Sequence, residues 1–154
     1  MVKSEQETRI ARSPEATFDF FADLRNEPEW NHAHVHDVRM TSPPPIGQGT
    51  TFEGRHPGFG TATWQLVEYD RPRHLVIEGF VGKAPYRYVG DFDSLDGETL
   101  FRGRVEWSPR GIWRALGPLL HPLLKLRVRR SFENLRFALE KGTNNATGRG
   151  VDSR

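Results

Sequence analysis

Thr99-Leu100-Phe101-Arg102-Gly103-Arg104-Val105-Glu106-Trp107 alternates with a period of two. Thr99, Phe101, Gly103, Val105 and Trp107 share one face; Leu100, Arg102, Arg104 and Glu106 share the other. This is the pattern of a strand in an antiparallel sheet that is covered on one side and wet on the other. After Gly111 the period changes. Trp113, Leu116, Leu120, Leu124, Val128, Phe132, Leu135 and Leu139 recur at steps of three or four, which predicts an amphipathic helix. Pro118 and Pro122 lack the backbone donor, so the first part is expected to be a separate turn or a kink. From Pro122 to Glu140 the helix would run about 28 Å at the usual rise, enough to span a curved sheet. Gly142 is expected to end it, with residues 142–154 a disordered tail and residues 1–141 a single domain.

Upstream of that strand the chain reads as extended segments cut by turn signals. The segments are roughly 34–40, 50–56, 61–70, 74–81, 86–93 and 98–108. Ser42-Pro43-Pro44-Pro45, Pro57-Gly58, Arg71-Pro72, Lys83-Ala84-Pro85 and the hairpin dipeptide Asp96-Gly97 separate them. With no helix between them, they pair as an antiparallel meander. Thr8 to Arg12 reads as a short first strand. Ser13-Pro14-Glu15 then starts a helix, with a capping hydroxyl, Pro at the first position and an acid in the first turn. Phe18, Phe21 and Leu24 give that helix an aromatic stripe, which Pro28 and Trp30 interrupt. The expected fold is α+β: a curved antiparallel sheet of about six to seven strands wrapped around a long C-terminal helix. Such a sheet often leaves a cavity beneath the helix.

Composition narrows the function classes. The 154 residues are 36% apolar and 27% charged, with ten Phe, four Trp and three Tyr, too aromatic for a disordered chain. The absence of Cys excludes disulfides, thiol catalysis and thiolate metal sites. No apolar run approaches the roughly 20 residues of a membrane span, and the N-terminus has no apolar signal core, so a cytoplasmic location is expected. A net charge of +2 is too balanced for strong phosphate binding, so no nucleic-acid partner is expected.

The sequence resembles the START-like superfamily (SRPBCC), in its polyketide cyclase/dehydrase and lipid-transport branch. The resemblance rests on Ile10 to Phe20, Asp23 to Trp30, Ile46-Gly47-Gln48-Gly49-Thr50, Val67 to Leu75, Gly97-Glu98-Thr99 and Asn134 to Glu140. It implies a helix-grip fold that binds a hydrophobic or aromatic small molecule between sheet and helix. Cyclases, carriers and hormone-binding proteins share this fold, so the fold alone does not choose among them.

By strand parity the ligand-binding candidates are Phe52, His56, Tyr86, Tyr88, Phe92, Phe101 and Trp107 from the sheet. Trp113, Leu120 and Leu124 are the candidates from the helix. An enzyme would need a titratable group among them; His56 with Tyr86 or Tyr88 is the candidate pair for a cyclase or dehydratase-like reaction without metal. No cofactor motif is present, and none is expected. His32, His34 and His36 alternate and would share a strand face. Same-face neighbours on a strand stand about 6.5 Å apart, while ligands of one metal converge to about 3–3.5 Å, so the three histidines are a minor metal candidate. Six basic residues lie between Trp113 and Arg136, against the single acid Glu133. The leucines of Trp113 to Leu124 exceed what one buried stripe needs, so a peripheral membrane contact or a homodimer through that region is a further expectation.

Overall fold

The computed structural model describes residues 2–108 and 112–147. Its seven strands are β1 (Val2–Ile10), β2 (His36–Met40), β3 (Thr51–His56), β4 (Gly60–Asp70), β5 (His74–Val81), β6 (Ala84–Leu95) and β7 (Glu98–Trp107). The helices are α1 (Pro14–Ala22), α2 (Glu27–Asn31) and α3 (Ile112–Thr147), with one short 3-10 turn, Leu24–Asn26, between α1 and α2. The strands form a single antiparallel sheet in the order β1-β7-β6-β5-β4-β3-β2. β2 to β7 are a meander of hairpins, and β1 pairs with β7 to make the far edge. This is the helix-grip arrangement of the α+β class. Asp96 and Gly97 both take positive φ, 52° and 79°, as the tight turn between β6 and β7 requires.

α1 starts where the sequence places it. Ser13 Oγ accepts from the Ala16 amide at 3.2 Å, and Pro14 opens the helix. Pro28 and Trp30 belong to α2, where Pro28 lies at the start and Trp30 is buried against Phe21. β1 begins earlier than expected, at Val2, because its whole length pairs with β7 from Trp107 to Thr99.

The inner face of the sheet is a mosaic of rings. Phe18 of α1 meets Phe92 at 5.1 Å between centroids, Phe92 meets Phe101 at 4.8 Å, and Phe101 stacks on Phe132 of α3 at 5.3 Å. Burying each such ring contributes about 1.5–3 kcal/mol. The outer face carries ion pairs instead: Glu68 and Asp91 flank His74, and Arg102 joins Asp93 to Glu7. Exposed pairs are worth about 0–1 kcal/mol each, so ring packing on the inner face dominates.

α3 departs from its expected shape at both ends. It runs as one helix with Pro118 and Pro122 inside it, in place of a separate turn. Pro118 and Pro122 free the carbonyls of Arg114 and Pro118; both residues are exposed, so water can take those bonds. Gly142 does not end the helix, which continues to Thr147. The rest of the expected tail, residues 148–154, lies outside the described residues. Among the described residues α3 grips the sheet through Phe132, Leu135 and Leu139, with Val128 packed beside them.

Candidate functional site

Three buried polar atoms on the inner face find no hydrogen-bond partner among the described residues: Ser4 Oγ, Tyr88 Oη and Trp107 Nε1. Strand pairing places them together. Ser4 of β1 lies opposite Val105 of β7, which lies opposite Tyr88 of β6. Trp107 stands on the next rung, paired with Tyr86. Gly103, on the same face of β7, makes room for the phenol. A Cβ there would lie 2.2 Å from Tyr88 Oη and 2.4 Å from Phe132 Cζ. Burying a polar group without a partner costs about 1–3 kcal/mol, and here three occur on adjacent strands.

Beside them is a carboxylic acid. Glu27, half-buried at the start of α2, accepts from Asn31 Nδ2 at 2.9 Å. Ser131 Oγ of α3 contacts Asn31 Oδ1 in turn, at 3.3 Å. Desolvation pushes the Glu27 carboxyl up to about 7, against the small opposing effect of the Asn31 bond. Burial raises both the Tyr86 and Tyr88 phenols, and the Glu27 charge raises them further. Both phenols are therefore neutral donors, and Glu27 changes charge near neutrality.

His56 belongs to a different group. Its ring lies 6.2 Å from His34 in a near-parallel stack and 5.1 Å from Phe59, and Phe59 meets Trp107 at 5.4 Å. Through Phe59 this group reaches Trp107, while in the sheet order β4 and β5 stand between His56 on β3 and the tyrosines on β6. Burial lowers the affinity of His34 and His56 for a proton, and the Arg127 charge lowers both further. An open cleft of about 650 Å³ adjoins this group, lined by His36, Asp37, Arg55, His56 and Thr61 among others. Charged and titratable side chains line it together with Pro57 and two glycines, unlike the aromatic-lined space expected beneath the helix.

Tyr86, Tyr88, Phe92, Phe101 and Trp107 lie together on the inner faces of β6 and β7, whereas Phe52 lies across the sheet on β3, opposite Trp64. Phe52, Phe92 and Phe101 are fully buried, the last two among other rings. The side chains of Trp113, Leu120 and Leu124 lie outside the described residues. Phe101 meets Phe132 of α3, further along the helix than the sequence suggested. The three histidines do not share a strand. His32 caps α2, His34 sits in the turn after it, and only His36 is in β2. Among the described residues no group of three could hold a metal ion.

Glu27, Asn31 and Ser4 were not evident as site residues. An acid at the start of a short helix reads as a surface residue favouring the helix dipole. The only local signal was the i, i+4 spacing of Glu27 and Asn31.

The comparisons with known proteins agree with this architecture. The family model described as polyketide cyclase/dehydrase and lipid transport matches residues 1–140, and the chain belongs to that family. TTHA0849 from Thermus thermophilus superimposes with a TM-score of 0.72 at 15% identity, over 91% of this chain and 98% of that one. SA2116 from Staphylococcus aureus does so at 0.69 and 10% identity, over 93% and 96%. The Aha1 dimer from Colwellia psychrerythraea gives 0.62 at 15% identity, over 91% and 97%. Identities this low establish the fold alone. No curated protein sequence matches significantly. No helix among the described residues is long and apolar enough to cross a membrane.

Proposed function

We propose that the protein binds a hydrophobic, ring-containing small molecule carrying an acceptor oxygen, held on the inner face over Ser4, Tyr88 and Trp107. The observation that carries this reading is the set of unpartnered polar atoms on three adjacent positions of β1, β6 and β7. Tyr88 Oη and Trp107 Nε1 can donate to a carbonyl or hydroxyl oxygen, and the surrounding rings suit an apolar body. Membership in a family described by cyclases and lipid transport supports the same ligand class. Native mass spectrometry of the purified protein, with a denatured control, tests it. An extra mass lost on denaturation and weakened by Tyr88→Phe is the expected result. A ligand whose retention ignores Tyr88→Phe and Trp107→Phe overturns this placement.

Glu27 favours a second reading, a cyclase or dehydratase-like enzyme in the same place. A carboxyl that titrates near 7 can take a proton from the carbon between two carbonyls and return it. Neutral phenols would steady the enolate oxygen meanwhile. In this version Glu27, and not His56, is the partner of the tyrosines. Proton exchange at the central carbon of an aromatic 1,3-diketone, followed by NMR, tests it. Exchange accelerated by the protein and lost in Glu27→Gln is expected of an enzyme; exchange at the buffer rate returns the reading to a carrier.

A further inference from the structure

We propose that the first half of α3 docks the protein on an anionic membrane surface, with leucines entering the lipid and cations meeting the headgroups. Among the described residues every side chain from Arg114 to Arg127 is exposed. Leu119 is 75% exposed and Leu123 56%, with Leu116 and Leu126 also exposed, and Phe137 is 71% exposed further along. At about 100° per residue, these five share one stripe. It lies roughly half a turn from Val128, Phe132, Leu135 and Leu139, the face turned to the sheet. The apolar stripe thus points away from the core. Isolated exposed leucines are ordinary, but a row of them on one outward face marks an interaction surface.

Charge selects the occupant. From Ile112 to Arg130 the chain carries Arg114, Lys125, Arg127, Arg129 and Arg130 and no Asp or Glu. Arg127 flanks the stripe and Arg130 lies along it, while Arg129 reaches Glu133 one turn on at 3.5 Å. A second copy of the chain would bring Arg127 and Arg130 towards like charges, and the acid that lies along the stripe, Glu133, is already paired with Arg129 of its own helix. An anionic bilayer attracts the same cations and receives the leucines. That combination of apolar stripe and basic neighbours is how a helix lies in a membrane interface. Long basic side chains can bend to the headgroups while their stems follow the apolar surface. This inference does not depend on the ligand reading.

The test is co-sedimentation of the full chain with phosphatidylcholine vesicles, with and without phosphatidylglycerol. Sedimentation velocity runs in parallel. The expected result is a monomer that binds only the anionic vesicles and releases as salt rises. Leu119→Asp with Leu123→Asp should abolish binding. Arg127→Glu with Arg130→Glu should weaken it at least about tenfold, since each surface cation near such a membrane contributes appreciably. These positions are exposed, and unchanged circular dichroism confirms that the variants fold. Absence of binding, equal binding to neutral vesicles, or a dimer that Leu119→Asp dissociates overturns the proposal, the last in favour of a second copy.

Discussion

Tyr88 Oη stands directly over Gly103: a Cβ placed on the glycine would lie 2.2 Å from that oxygen. The glycine therefore gives the phenol its place, and Phe132 closes the same space from α3. Gly103→Ala should destabilise the protein by about 1–3 kcal/mol, the usual cost of overpacking. Adding Tyr88→Phe should recover part of that loss, because the nearer of the two colliding groups has gone. The remainder belongs to Phe132 Cζ, at 2.4 Å. Urea denaturation of the two single variants and the double variant measures the coupling; strict additivity would contradict the contact.

Tyr88→Phe alone should leave the unliganded protein as stable or slightly more stable. The hydroxyl is buried without a partner among the described residues, so its removal relieves a desolvation cost and breaks no protein hydrogen bond. The same substitution should weaken retention of the ligand. Thermal melts with and without the compound found by mass spectrometry separate the two effects. A variant that melts well below the parent without ligand would mean that the hydroxyl is structurally bonded.

Glu27 sets a pH dependence whose sign follows from its environment. Its folded pKa, about 7, lies above the ordinary carboxyl value of 4.5, so the folded state binds the proton more tightly. The associated stability is fully present below about 4.5 and lost as pH rises to 7 and beyond. The half-buried position makes this about 1–3 kcal/mol. Glu27→Gln, which keeps the bond to Asn31, should remove this contribution to the slope and raise stability at pH 8. Denaturation midpoints at pH 5 and pH 8 for the two proteins decide it; parallel changes in both would assign the slope to another group.

The meander of β2 to β7 and the shared face of residues on β6 and β7 were legible in the sequence because their signals are local, whereas the pairing of β1 with β7 joins distant segments and was not. Turn dipeptides such as Asp96-Gly97 fix hairpins, and alternation along Thr99–Trp107 fixes a face, so parity put Tyr86, Tyr88 and Trp107 on one side. The site's electrostatics were not legible, because they arise from tertiary approach. Glu27 titrates near neutrality only because α2 folds it out of water, and nothing in Asn26-Glu27-Pro28 reports that. His34 has the alternation of a strand residue yet sits in a turn, since α2 extends to Asn31 and its closing bonds run on from there. The Asn31 carbonyl accepts from the amides of both His34 and Val35. At Pro118 and Pro122, propensity counts the lost backbone bonds but not the water that replaces them.

His74 adds a smaller effect of the same sign as Glu27. Its bond to Asp91 Oδ1 at 2.6 Å, backed by Glu68, raises its affinity for a proton against the opposing effect of burial. The pair's stabilisation is present below about 6.5 and lost as pH rises through the raised folded value. On a partly exposed face it amounts to no more than about 1 kcal/mol. His74→Gln should therefore cost stability at pH 5.5 and almost nothing at pH 9, and high salt should shrink the difference. A cost that is equal at both pH values would show that packing, not charge, is what His74 contributes.

His34 and His56 act in the opposite direction. Burial first, and the Arg127 charge with it, lowers the proton affinity of both rings, so the unfolded chain takes up protons that the folded one resists. Stability is unaffected above about 6.5 and falls as pH drops through that value towards the lowered folded one. In the native protein this loss is partly hidden, since Glu27 and His74 gain stability over an overlapping range. A background carrying both Glu27→Gln and His74→Gln removes the overlap. There, stability should fall between pH 7 and pH 5, and adding His56→Gln should flatten the fall. Arg127→Gln should flatten it less, because burial and not the guanidinium is the larger cause. If His56→Gln leaves the fall unchanged while Arg127→Gln abolishes it, charge outweighs desolvation at this stack, and the ring pair is more open to water than its geometry implies.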